Sequence, residues 1–301
     1  MGLFDMLGIG GTKEERDVRA IAKMQKKVLE KFGPPENRQG AIEELGEMKS
    51  TAAVEALLMR FTIRVDPGIT DDEEKHRALD LIVDADEAAL PALKKFIATR
   101  DEISWPLQAL ADLVPEFEVV NVLIETLKKA AVEYARVPEK KVLLLHALAH
   151  HRSGEAVSAA LPFLEDMDDD VVIAAAQAIA AQAHPAARKG EAAAAANADA
   201  DPAASGKAAP GADGSALANS AKPDSVEQAA IEAAAVAGRE PLILALVRAH
   251  EQKNARTTEA LAGHLADAGW DVKGFAPKVE AALPEGYKLD NKARIARKVQ
   301  A

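Results

Sequence analysis

Three histidines fall within six residues at "HALAHH" (146–151), the densest group of histidines in the chain. His146 and His150 are four apart and share a helix face, while His151 points elsewhere. A zinc site needs at least a third ligand in defined geometry. The spacing supplies none, so His146 and His150 stand as candidate ligands and a helix with imidazoles on its polar side is the expected reading. "GIGGTK" (8–13) misses the spacing of a phosphate-binding loop and reads as a flexible joint. No Gly-x-Ser-x-Gly elbow occurs. The chain has no cysteine, which removes thiolate ligands, cysteine nucleophiles and disulfides and fits a reducing compartment. A catalytic residue and a cofactor are therefore not expected.

The remaining candidates bind instead of react. Residues 71–87 hold eight carboxylates: Asp71, Asp72, Glu73, Glu74, Asp80, Asp84, Asp86 and Glu87. The expected reading is a solvated face. If it lines a concave surface, Asp71, Asp72, Glu73 and Glu74 would attract a basic protein or peptide. Trp105 in "ISWPLQAL" and Trp270 in "AGWDVKGF" each sit beside a helix start. Packing is expected of both, and an exposed Trp would be a partner anchor.

The elements that must position these residues are helices. Of 301 residues, 49% are hydrophobic but only 4% aromatic, and alanine dominates. Such a core is made of many thin contacts between closely approaching helices, and it disfavours sheets, which prefer β-branched and aromatic residues. The net charge of −11 opposes nonspecific nucleic-acid binding. Residues 13–31 and 285–301 each carry +3, which leaves −17 for the rest. The start, "MGLFDMLGIGGTKEER", lacks a positive region and a long apolar run, so it is a poor secretory signal. The apolar run at 171–187 contains Gln177, Gln182, His184 and Pro185 and falls short of a membrane span. A soluble cytoplasmic protein is expected.

Helical periodicity recurs along the chain and is broken by Gly, Pro and acidic turns. "NRQGAIEELGEM" (37–48), "DDDVVIAAAQAIAAQ" (168–182) and "DSVEQAAIEAAAVAG" (224–238) each open on a capping Asn or Asp and continue with small residues. A second type alternates with them: "TAAVEALLMRFTIRV" (51–65), "EAALPALKKFIAT" (87–99), "EAVSAALPFLEDM" (155–167) and "EPLILALVRAHEQ" (240–252). Pro241 is placed in a first turn, whereas Pro91 and Pro162 come later and are expected to bend their helices.

This alternation resembles HEAT-like (armadillo-type) α-helical repeats, and "DVVIAAAQAIA" (170–180) is close to their first-helix consensus, with Ile173 where the family usually has Arg. Apolar anchors at Leu45, Ile82, Leu110, Leu148, Ile179, Ala234 and Leu265 mark about seven degenerate pairs over residues 36–284. The resemblance implies an all-α solenoid whose concave surface grips a protein or peptide. In that family, deoxyhypusine hydroxylases hold iron with repeated His-Glu pairs; this chain has one, His250-Glu251, too few to carry the activity over.

The expected domains are a leader and basic amphipathic helix at 1–35, an array at 36–183, an Ala/Gly/Pro-rich disordered insertion at 184–223, a second array at 224–284 and a basic tail at 285–301. The expected function is a non-enzymatic interaction scaffold. The rivals are a HEAT-like lyase or glycosylase, and a peripheral membrane or assembly factor using residues 1–32.

Overall fold

A computed structural model describes residues 12–132, 138–183 and 225–298. The expected joint at 8–11, the first eleven residues of the leader and the insertion at 184–223 lie outside the described residues. What is described is mostly helical, with a single two-stranded sheet. By contacts the chain divides into two units, residues 1–115 and 116–301.

The first unit contains α1 (Lys13–Val28), α2 (Pro35–Glu47), α3 (Thr51–Leu58), α4 (Gly68–Val83), α5 (Leu90–Thr99) and α6 (Ser104–Leu113). The second contains α7 (Glu116–Val132), α8 (Glu139–Ala149), α9 (Ala156–Ala160), α10 (Asp169–Ala183), α11 (Ser225–Glu251), α12 (Ala255–Ala268), α13 (Ala276–Ala282) and the strands β1 (Tyr287–Leu289) and β2 (Ile295–Arg297). Local chemistry explains several boundaries. The Glu15 N–H donates to Thr12 Oγ1 and the Ala53 N–H to Ser50 Oγ, which caps α1 and α3. Asp168 accepts from the Asp170 and Val171 N–H groups at the start of α10, as expected of that acidic opening. At α2 the expected Asn37 cap is displaced, because Pro34 and Pro35 open the helix earlier. Gly269 closes α12 with φ of 66°, a left-handed conformation that costs glycine little.

The packing alternates within each unit. In the first, α2, α4 and α6 pack in succession, and so do α1, α3 and α5. In the second, α8, α10 and α12 form one such series, and α7, α9, α11 and α13 the other. Within its unit each helix thus leans on the next but one, and most lean on a neighbour in sequence as well. Leu45, Ile82, Leu110, Leu148, Ile179 and Leu265 are all buried, and all lie on even-numbered helices. Ala234 does not belong with them. It is half-buried on α11, in the other series. Ile179 and Leu265 are 86 residues apart, and removing the 41 residues 184–224 leaves 45. Six of the seven expected anchors thus lie on even-numbered helices, and in the sequence residues 184–224 stand between α10 and α11.

The prolines also differ from expectation. Pro91 opens α5 and Pro162 opens a 3₁₀ turn at Leu161–Glu165, so each marks a boundary and bends nothing. Pro241 lies inside α11, which runs unbroken over the two segments expected to be separate helices. The basic stretch after Pro284 is folded: Tyr287 pairs with Arg297, Lys288 with Ala296 and Leu289 with Ile295 in an antiparallel hairpin. It is not a trailing tail up to Lys298.

Small residues set the helix spacing. A Cβ added to Gly238 of α11 would lie 2.5 Å from Ile179 Cγ2 and 3.0 Å from Val157 Cγ1. Gly238→Val should overpack this junction and cost about 1–3 kcal/mol. Gly40, inside α2 with nothing within 4 Å of an added Cβ, should gain about 0.5–1 kcal/mol on Gly40→Ala. Urea unfolding followed by circular dichroism measures both.

Candidate functional site

The acidic run separates into two populations. Asp72, Glu73, Asp80, Asp84, Asp86 and Glu87 are exposed, but Asp71 and Glu74 are only 2% and 1% exposed. α4 turns these two inward, three residues apart on one face. They meet Arg38 of α2 and Arg60 of the 3₁₀ turn after α3 (Met59–Thr62), buried to 1% and 0%. Arg38 Nε donates to Glu74 Oε2 at 3.0 Å, and Arg60 Nε donates to the same oxygen at 2.9 Å. Arg60 Nη2 donates to Asp71 Oδ1 at 2.7 Å, and Lys75 Nζ reaches Asp71 Oδ2 at 2.7 Å. Backbone groups complete the set: the Glu30 and Gly33 carbonyls accept from Arg38, and the Ile63 carbonyl accepts from Arg60. The Val65 N–H donates to Asp71. Asp71 and Glu74 therefore face no partner; they join three helices.

Burial pushes the Asp71 carboxyl up, but the hydrogen bonds from Lys75, Arg60 and the Val65 N–H outweigh it and hold the group below its ordinary 3.8. A carboxylate depressed on folding contributes stability above its unfolded value and loses it as pH falls through the folded one.

The histidines are placed by the end of α8. His146 lies in its last turn, His150 is the C-cap residue, and His151 follows. The His150 and His151 N–H groups donate to the Ala147 and Leu148 carbonyls. His151 Nδ1 lies 3.0 Å from Glu116 Oε1. Among the described residues, no three His, Asp or Glu side chains gather where a metal could be held.

Trp105 is half-buried. Its ring stacks on Phe61 at 5.8 Å between centroids, and His76 meets it edge-on at 4.7 Å. It packs against the core of the first unit, the role expected of it. Trp270 is half-buried immediately after the Gly269 cap.

One open cleft, of about 210 Å³, lies in the first unit. Its floor is apolar: Leu58, Met59, Ala92 and Phe96 from α3, the turn after it, and α5. Gln25 of α1 and Thr99 of α5 stand at the rim. Lys95 Nζ reaches Glu55 Oε1 across it at 2.7 Å. Arg100 closes one end, exposed, with Nη2 at 3.9 Å from the Met59 thioether. Periodicity could not reveal this cleft, since none of these residue types is unusual on a helix. The buried Arg38 and Arg60 were missed for a related reason: arginine ordinarily sits at the surface.

No protein-family model matches the chain, and no curated protein does. Among solved structures, the crystal structure of an engineered protein aligns at a TM-score of 0.30 with 18% identity, over 87% of this chain and 71% of its own. A likeness of that size carries no argument about fold or function. No helix among the described residues is long and apolar enough to cross a membrane.

Glu74→Gln should leave two buried guanidinium groups without their shared carboxylate and cost about 3–5 kcal/mol. Glu73→Gln, one position away on the exposed side, should change stability by no more than about 0.5 kcal/mol. Urea midpoints of the two variants decide it. Acid titration of stability should show a loss below pH 3.8, the ordinary Asp71 value, with a shallower slope in Asp71→Asn.

Proposed function

We propose that this chain is a non-enzymatic protein–protein interaction scaffold built as a HEAT-like α-solenoid of degenerate helix pairs. The reading is supported by the alternation of the two helix series in each unit, which is how paired helical repeats bury faces that no single helix can bury alone. The burial of three apolar anchors along one series in each unit supports it further. The single observation that carries the functional step is the open cleft on the α1–α3–α5 series, an apolar floor with Glu55, Lys95 and Arg100 in its lining. Stacked helical repeats offer extended surfaces suited to gripping a helix or peptide. Asp71 and Glu74 of the acidic run are engaged in buried ion pairs with Arg60 and Arg38.

The test is affinity capture from the native cell with the full chain as bait, repeated with residues 184–223 deleted. A specific protein retained by the full chain is expected. Retention of no protein by either bait would overturn the reading, and flotation with liposomes lost on deletion of residues 1–32 would favour a peripheral membrane role instead.

A further inference from the structure

The outer face of α1 carries a stripe of positive charge. Arg16, Arg19, Lys23, Lys26 and Lys27 recur at helical spacing and fall within about 100° of the helix circumference. All are exposed except Lys27, which is half-buried. The inward face, with Met24 and Val28, lies on the other side of the helix. Glu14 and Asp17 are off the stripe, and Glu15 stands at its edge. Among the described residues none of the five cations makes an ion pair. Cations elsewhere are answered at short range: Arg77 by Glu43, Lys95 by Glu55 and Arg297 by Asp267.

α4 bears the opposite charge on its outer side. Asp71 and Glu74 turn inward, but Glu73, Asp80 and Asp84 share one exposed face at spacings of seven and four. Arg77 lies on that face too, paired with Glu43 of α2, and the charges of Asp80 and Asp84 also bear on it. With Glu43 counted, four carboxylates stand against one guanidinium. The stripes agree in length: Arg16 to Lys27 and Glu73 to Asp84 each span eleven residues, about 16 Å of helix. They do not meet within one chain. α1 belongs to the α1–α3–α5 series and α4 to the α2–α4–α6 series, and no ion pair among the described residues joins them.

We propose that the basic stripe of α1 docks on the acidic stripe of α4 in a second copy of this chain. Other acidic helices could satisfy α1, but this chain itself supplies one of matching length and opposite sign. The contact is heterologous, so each copy keeps one free face and assembly continues as an open chain or closes as a ring. Its chemistry is the charge-assisted hydrogen bonding that Arg77 and Glu43 already show. Single surface pairs are weak, so the association builds up at high protein concentration and is screened by salt. The inference stands apart from the scaffold reading, because both stripes are present whatever else the chain binds.

Sedimentation velocity of the full chain tests it, from about 5 to 500 µM protein in about 20 mM salt and again in about 0.5 M salt, where screening acts over a few ångströms. The wild-type chain should grow to species of three or more copies at low salt and return to single copies at high salt. Arg19→Glu with Lys23→Glu reverses one face, and Asp80→Lys with Asp84→Lys reverses the other, all at exposed positions. Circular dichroism checks that both variants are folded. If either is not, Arg19→Gln with Lys23→Gln or Asp80→Asn with Asp84→Asn replaces it and should weaken association about tenfold. Each reversed variant alone should stay a single copy at low salt. Mixed in equal amounts, the two should assemble again, because every face then has a partner of opposite sign. A wild-type chain that remains a single copy at all concentrations overturns the proposal. So does an α4 variant that associates as the wild type does, or a mixture of folded reversed variants that stays apart.

Discussion

In the first unit two guanidinium groups are buried almost completely, and their counter-charges all come from α4. An unpaired charge in such a place costs several kcal/mol, so Arg38, Arg60, Glu74 and Asp71 have to be present together or not at all. The network therefore acts as a register pin. It ties α2 to α4 through Arg38 and ties the end of α3 to α4 through Arg60, with the loop carbonyls of Glu30, Gly33 and Ile63 held in the same bargain. Apolar packing of alanine-rich faces is permissive about sliding and rotation, because one small side chain resembles another. Fixed hydrogen-bond geometry is not permissive.

The candidate site follows from that pin. Arg60 and Met59 are consecutive in the 3₁₀ turn that ends α3. One is drawn fully inward to Glu74 and Asp71; the other is left to line the cleft under Arg100. α3 itself is eight residues long, between a 16-residue α1 and a ten-residue α5, and Glu55 and Leu58 of α3 line the cleft. The buried ion pairs and the lining of the cleft thus meet at a single pair of neighbouring residues.

Among the described residues of the second unit, no arginine is buried as Arg38 and Arg60 are. Its α10 is lined with alanine on nearly every side, and Gly238 lets α11 approach Ile179 and Val157 closely. Its polar anchors are smaller: Gln182 accepts from the Ser153 N–H and donates to the His151 carbonyl, and Lys141 meets Asp166 at 2.9 Å. Burial pushes Asp166 up, while the Lys141 contact and backbone N–H groups hold its carboxyl below the ordinary value.

How much of this was legible in the sequence depends on how local the cause is. Helices, their small-residue faces, the Asp168 cap, and the anchors Leu45, Ile82, Leu110, Leu148, Ile179 and Leu265 could be read because periodicity and capping act within a few residues. Three things could not be read. The pairing of Asp71 and Glu74 with arginines up to 36 residues away is invisible to a local pattern, so an acidic run looked like a solvated face. Pro241 looked like a helix start because its favoured position is a first turn, yet packing of α11 on both series carries the helix through it. Ala234 matched the anchor spacing while belonging to the other layer. Composition and period determined what kind of elements form; the tertiary structure decided which charges are buried and which surface remains open, because those depend on groups that only folding brings together.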